Sequence, residues 1–362
     1  MTTLIKNPHS SQQNQGRIKL DLFFLLGNGI GNVIAGLYAV EYVLQQKYLR
    51  IGFCVFGVPE SFKKYLVQCY GDCYFFNTHN LNIDTTYLIQ SFLVDPKIKI
   101  SFKSYFYINS DAKSTFYQTE TEQYLSIVKS LYPSGYVSKT LRLLKGEETP
   151  WQNKLNISKR IVLYPGCSPR NAAKRWPHYF ALISKLGEKN TIVIGDKGDL
   201  DFSYSYIYPK YISFILSQKL MDKRKVWSSL KNIGLLQKFT HQNILTSVPD
   251  AFFGVLSWHE IVNILKKCRF FIGNDGGITH LAAAAGARGI VIFGPTSIEK
   301  NKPFNKLIEP LNLGLECQPC QFGKAGITMS RGFINCPYGV KCLQNIDSTT
   351  IYQTIVKMEV LG

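Results

Sequence analysis

The chain has 362 residues, long enough for two domains that each bury a core, and its 45% apolar and 13% aromatic content is that of a globular protein, not a disordered one. Lys and Arg number 42 against 24 Asp and Glu, a formal charge of +18. That balance favours anionic partners (nucleic acid, an acidic membrane face or a phosphorylated substrate) without choosing among them, and a generally basic solvated surface explains it equally well.

Residues 1–17 are polar, lack the apolar core of a signal peptide and read as a short disordered leader. No apolar run reaches the roughly 18–20 residues that span a bilayer, so the expectation is a cytoplasmic protein with peripheral membrane contact. Leu20 to Leu26 is apolar but for Asp21, as in a parallel strand buried on both faces. Gly27, Gly29 and Gly31 punctuate it, and from Asn32 onward Val33, Leu37, Val40 and Leu44 recur at helical spacing. Strands are predicted at 51–57 and 73–78, and helices at 61–70 and 119–132. Cys69 and Cys73, at helical spacing, read as core residues. Strands alternating with helices imply a parallel α/β sheet.

The polar stretch 143–159 breaks the pattern and places a domain boundary at 150/151. Beyond it, strands are predicted at 160–166, 191–196, 270–275 and 289–296, and helices at 176–188, 256–268 and 278–286. Ser257 and Glu260 have capping-box spacing. Residues 199–245, rich in Tyr, Lys and Ser, resist placement. Residues 346–362 end the chain as an amphipathic helix, with the N-terminal domain as its candidate packing partner.

Nine cysteines in a chain without a signal peptide argue for reduced thiols or a local metal site, not a secreted disulfide framework. Cys317, Cys320, Cys336 and Cys342 are spaced C-x2-C-x15-C-x5-C. The first pair is a zinc-like half-site, but the last interval is long for structural zinc. Packing thiols are the favoured reading, and a structural metal or a disulfide is the alternative.

Ligands of parallel α/β sheets bind outside the carboxyl ends of the strands, which points to three loops. In NDGGITH, Asp275 follows a buried strand, and Gly276 and Gly277 open a helix whose N-terminus attracts negative charge. Thr279 and His280 sit in its first turn, within reach of the same ligand. The competing reading makes Asp275 a helix cap and packs His280 against the sheet. In YPGCSPRNAAKRWP, Arg170, Lys174 and Arg175 follow a strand and suit a phosphate-bearing ligand, though a solvated basic loop reads the same way. GNGIGN, residues 27–32, lacks the G-x-G-x-x-G spacing of a nicotinamide site and is also explained as a tight turn.

Together these segments resemble glycosyltransferase family nine, the lipopolysaccharide heptosyltransferases. GNDGGITHLAAAAGARGIVIFGPTSIEKNKPF is similar to that family's hallmark: Asp, a small residue, Gly, then His, an alanine-rich helix and a strand ending Phe-Gly-Pro-Thr. YPGCSPRNAAKRWP resembles its phosphate-binding loop, with Lys174 at the motif's lysine, and GNGIGNVIAGLYAV resembles its acceptor-side loop. ECQPC followed by CPYGVKCLQNI resembles the cysteine-bearing C-terminus of members like the second heptosyltransferase. The likeness is weak over residues 50–150 and 199–245.

The resemblance implies an α/β, GT-B architecture: two Rossmann-like domains with parallel sheets facing across a cleft. Residues 18–150 would form the acceptor domain and 151–345 the donor domain. It implies inverting, metal-independent transfer of a sugar, typically heptose from ADP-heptose, onto an anionic glycolipid at the membrane face, with no cofactor and no nucleic-acid partner. On this reading Lys174 and Arg170 meet the diphosphate, Gly276, Gly277 and Thr279 supply donors, Asp275 binds sugar hydroxyls and His280 supports that site. Gly29 and Gly31 shape the acceptor loop. The family usually has Asp as catalytic base where this chain has Asn32, and a carboxamide takes no proton near neutral pH. Asp111, Glu120 and Glu122 are unranked substitutes; otherwise Asn32 orients the acceptor while a substrate group takes the proton, or the chain is a weak relative that binds nucleotide sugar. A sugar-nucleotide epimerase of similar build is the alternative enzyme class. A basic nucleic-acid-binding protein is disfavoured by scattered charge and the lack of a zinc-finger or RRM motif.

Overall fold

A computed structural model describes residues 18–27, 29–76, 82–90, 99–108, 118–147, 149–167, 173–196, 199, 250–320 and 336–360. The predicted leader and most of the unplaced stretch 199–245 lie outside them. Two compact units divide the chain. The first ends at Gly146 and also takes 280–286 and 299–306; the second starts at Glu147 and takes the rest. A linear boundary at 150/151 had put 280–286 and 299–306 in the second domain. They group with the first because Asn305 Nδ2 bonds the Lys139 and Ala283 carbonyls, the Leu141 amide bonds the Ala284 carbonyl, and the Phe304 ring packs on Tyr38.

The first unit is built on a five-stranded parallel sheet, order β3-β2-β1-β4-β5. β1 (Ile18–Leu26) lies at its centre between β2 (Ile51–Val55) and β4 (Asn82–Gln90); β3 (Tyr74–Phe76) and β5 (Lys99–Tyr107) are the edges. Leu22 to Leu26 are buried on both faces, as a central parallel strand requires. Helices α1 (Ile30–Val43), α2 (Glu60–Cys69) and α3 (Glu120–Leu131) belong to the same unit. The Thr119–Glu122 capping box starts α3, and the Tyr42 hydroxyl ties α1 to its far end at the Tyr132 carbonyl, 2.8 Å away.

The second unit holds six parallel strands, order β11-β10-β9-β6-β7-β8. They are β6 (Ile161–Tyr164), β7 (Thr191–Gly195), β8 (Asp250–Phe253), β9 (Phe270–Asn274), β10 (Gly289–Ile292) and β11 (Ile308–Leu311). Around them run α4 (Pro150–Lys154), α5 (Tyr179–Leu186), α6 (Trp258–Lys267), α7 (Gly277–Ala285), α8 (Ile298–Asn301), α9 (Lys341–Gln344) and α10 (Ser348–Val360). The capping box expected at Ser257 and Glu260 starts α6. Helix α7 leaves the second unit's sheet, and its residues from His280 onward group with the first unit.

β4, β5, β8 and β11 were not predicted. β4 and β5 are polar at many positions, and β8 and β11 are only four residues each. Helix α5 starts at Tyr179, not Trp176, because the Trp176 amide bonds Asn274 Oδ1 and its indole N–H bonds the Ile346 carbonyl. Helix α10 packs within the second unit: Ile351 and Ile355, with Ile346 just before the helix, join Trp176, Leu182 and Leu343 in that unit's core. Ile351→Ala should therefore lower unfolding stability by about 2–4 kcal/mol, measured by urea denaturation. An unchanged midpoint would mean that the helix is undocked.

Candidate functional site

The order of the second sheet reverses between β6 and β9, the place where doubly wound sheets open a crevice at their strand ends. The loop leaving β6 carries Lys174, and the residue leaving β9 is Asp275. Asn274, the last residue of β9, is fully buried at 0% exposure and joins the two. Its Nδ2 donates to the Pro165 carbonyl at 2.8 Å and the Gly166 carbonyl at 3.3 Å. Its Oδ1 accepts from the Trp176 amide and the Tyr179 hydroxyl, each at 3.1 Å. Sequence reasoning passed over Asn274, because an Asn ending a strand carries no spacing signal.

Lys174 Nζ donates to Asp275 Oδ2 at 2.8 Å, and the Thr296 hydroxyl donates to the same oxygen at 2.6 Å. The lysine side chain is 14% exposed and the aspartate 5%, so the pair is shielded from solvent. A lysine ammonium has three N–H donors, so it can hold Asp275 and an incoming anion together. Gly276 and Gly277 follow at the start of α7, where the first-turn backbone N–H groups give positive potential. A Cβ at Gly276 would stand 3.4 Å from the Tyr164 ring, an ordinary contact, so the fold leaves room there. Thr279 is buried, and its hydroxyl donates to the Asn274 carbonyl at 2.6 Å while its amide bonds the Gly276 carbonyl at 3.0 Å. Its own donors thus hold the turn together. Gly273 makes this possible, since a Cβ there would come 2.7 Å from Thr279 Oγ1.

Arg175, read as a third phosphate cation, takes another role. Its guanidinium bonds Asp199 Oδ1 at 2.6 Å and the Cys167 carbonyl at 3.2 Å, with both charged side chains buried. Burial pushes the Asp199 carboxyl up from its ordinary value, against the Asp196 amide and the Arg175 guanidinium that hold it down. Arg170 lies outside the described residues.

In the first unit, Gly29 precedes α1 at φ 113, a left-handed conformation that favours glycine. Asn32 is half-buried in the first turn, and among the described residues its side chain has no hydrogen-bond partner. Gly31 faces His280, whose ring carbon would lie 3.0 Å from a Cβ built there, and the two belong to the same unit. Of the substitute bases, Glu122 is engaged in the α3 capping box, Glu120 sits in the same first turn, and Asp111 lies outside the described residues.

Cys317, Cys320, Cys336 and Cys342 line one small cavity together with Ala173 and Pro295. All four stand as free cysteines. Burial pushes Cys320 up to about 11 and Cys342 up to about 12. The donor set is one that soft metals prefer, but among the described residues no three His, Cys, Asp or Glu are arranged to hold an ion.

Residues 240–325 match the model of glycosyltransferase family 9 (heptosyltransferase). Solved structures extend the likeness to the whole fold. The iron-containing dodecameric glycosyltransferase TibC from enterotoxigenic E. coli H10407 is similar over 96% of this chain and 78% of its own, with a TM-score of 0.58 and 14% identity. A second TibC structure, in complex with ADP-D-β-D-heptose, is similar over 95% of this chain and 77% of its own, with a TM-score of 0.57 and 14% identity. The E. coli heptosyltransferase WaaC with ADP is similar over 93% of this chain and 99% of its own, with a TM-score of 0.50 and 12% identity. No curated protein matches the chain by sequence. The expected GT-B class, two parallel sheets with flanking helices, is the class of these neighbours. Among the described residues no helix is long and apolar enough to cross a membrane.

Proposed function

We propose that the chain transfers a heptose from ADP-heptose, with inversion and without a metal in the reaction, to a phosphorylated lipopolysaccharide core or related glycolipid at the cytoplasmic membrane face. The observation that carries this is the Lys174–Asp275–Thr296 cluster beside the Gly276–Gly277 helix start, all within one unit. The cation and the helix N-terminus supply fixed positive potential for a departing diphosphate. On this reading Asp275 accepts from sugar hydroxyls. The choice of nucleotide follows TibC and WaaC, which are solved with ADP-heptose and ADP. The formal charge of +18 suits an anionic acceptor and an anionic lipid face.

The acceptor hydroxyl oxygen attacks the anomeric carbon, the bond from that carbon to the phosphate oxygen breaks, and ADP departs. Asn32 orients the attacking hydroxyl through its free amide, and the proton passes to a phosphate oxygen of the substrates, because a carboxamide takes none.

ADP and ADP-heptose should raise the melting temperature, by an amount equivalent to about 2.7 kcal/mol at a hundredfold excess over Kd. UDP-, GDP- and CDP-sugars should not, and Lys174→Ala should remove the shift. If one of those other sugars alone stabilises the protein, the heptose assignment falls and the transferase survives; no shift with any of them overturns the donor site.

Asn32→Ala should keep the ADP shift and lose turnover by about a hundredfold, within the range of acid–base and orienting contributions. Unchanged turnover would remove Asn32 from the reaction.

A second reading concerns the scaffold. Convergence of four thiols from separate segments on one cavity supports a structural iron or zinc site there, as does the iron of TibC. It requires the sulfurs to draw together around the ion, and it enters no step of the transfer. Purified protein should hold one equivalent of metal by elemental analysis, lost in Cys317→Ser/Cys320→Ser. Four titratable thiols without stoichiometric metal would refute it.

A further inference from the structure

We propose that Asn274 is the positioning residue of the donor site: its carboxamide sets the loop that carries Lys174, and thereby holds Lys174 against Asp275. The inference rests on the proposed nucleotide-sugar reading for its ligand, but the geometry stands without it. The loop leaves β6 at Pro165 and re-enters regular structure near Trp176, and Asn274 grips both ends. Its two N–H groups hold the carbonyls of Pro165 and Gly166, and its oxygen holds the Trp176 amide and the Tyr179 hydroxyl. Lys174 lies inside the gripped segment, next but one before Trp176, and Asp275 is the next residue after Asn274. One rigid group therefore fixes the separation of the two charges, which meet at 2.8 Å.

Only a carboxamide performs this task at that position. It offers paired donors on one side and an acceptor on the other. A carboxylate would turn an oxygen toward the two loop carbonyls and lose both donor bonds. An alkyl side chain would take the acceptor from the Trp176 amide and the donors from the Pro165 and Gly166 carbonyls, while the Tyr179 hydroxyl keeps the Tyr164 carbonyl at 3.1 Å. Asn274 touches none of the reacting atoms; it acts through Lys174 and Asp275.

The test compares Asn274→Ala and Asn274→Asp with wild type and with a control, Asn263→Ala. Asn263 is equally buried and bonds Gln152 at 3.4 Å, but it lies on α6, which carries no site residue. Two readouts are taken on folded protein. The rate of reductive methylation at Lys174, followed by mass spectrometry without ligand, reports the state of the ion pair. The Kd for ADP and the split between KM for ADP-heptose and kcat report the donor site. Both Asn274 variants should label Lys174 several-fold faster than wild type and weaken ADP by about tenfold or more, since small misplacements of binding groups are costly. Acceptor KM should not move, and Asn263→Ala should change neither readout. Wild-type labelling of Lys174 in both Asn274 variants, or equal effects in Asn263→Ala, overturns the proposal. Should Ala at 274 not fold, the Asp variant is read by the same criteria, and folded Asp protein with wild-type labelling and ADP affinity overturns it alone. Faster labelling in a protein whose wild type binds neither ADP nor ADP-heptose upholds the positioning role and removes the functional reading instead.

Discussion

The Asn274 carboxamide is buried where β6, β9 and the approach to α5 meet, and each of its polar atoms is engaged. A buried amide without partners costs several kcal/mol, so this group is tolerable only while all three segments stay in register. The dependence runs both ways. A loop leaving a buried strand exposes carbonyls that no ladder satisfies, and a helix approach exposes amides that no preceding turn satisfies. Asn274 meets the Pro165 and Gly166 carbonyls and the Trp176 amide at once. It lets the described ends of the loop meet the sheet end with these groups satisfied, and Lys174 rides on that loop.

Two adjacent cations on this loop pair with two different buried carboxylates. Lys174 reaches across to Asp275 at the end of β9, and Arg175 turns back to Asp199 beyond β7. Backbone space makes the second pair possible: a Cβ at Gly166 would stand 2.2 Å from Asp199 Oδ2, and one at Gly195 would stand 3.2 Å from it. Buried ion pairs are poor sources of net stability, because desolvation offsets most of the attraction, but breaking one is costly. Such pairs are better at fixing geometry than at adding stability. Here the Arg175 pair anchors the loop's root in the second sheet, while Lys174 pairs with Asp275.

The parts of the fold that could be read from sequence are those where burial is total and the period unambiguous. β6, β10, β1 from Leu22 onward and β9 up to Gly273 are continuous apolar runs, and α6 announces its start with Ser257 and Glu260. β4 mixes Asp84, Thr85 and Thr86 with apolar residues, and β11 holds Glu309 and Pro310, so neither reads as a strand of a parallel sheet. At the site, motif spacing found Lys174 and Asp275 but not their mutual pairing, which depends on a fold bringing together residues 101 positions apart. Arg175 looked like Lys174 in sequence; its diversion to Asp199 depends on a tertiary neighbour that no local pattern announces. Thr279 looked like a ligand-facing hydroxyl, yet the glycine at 273 lets it fold inward onto the backbone.

The two units place their characteristic residues at comparable points, where a strand gives way to a helix, but with different chemistry. In the second unit the start of α7 stands beside a paired lysine, an arrangement that stabilises negative charge without rearranging during a reaction. In the first, α1 begins at a left-handed glycine without a side-chain cap, and the side chain in its first turn is the amide of Asn32. An amide orients a hydroxyl but does not relieve it of its proton. On the proposed reading, general-base catalysis worth about 10²–10⁴ in rate is then not supplied by that position. On that same reading the burden shifts to the departing diphosphate, whose charge would be met by Lys174 and the start of α7.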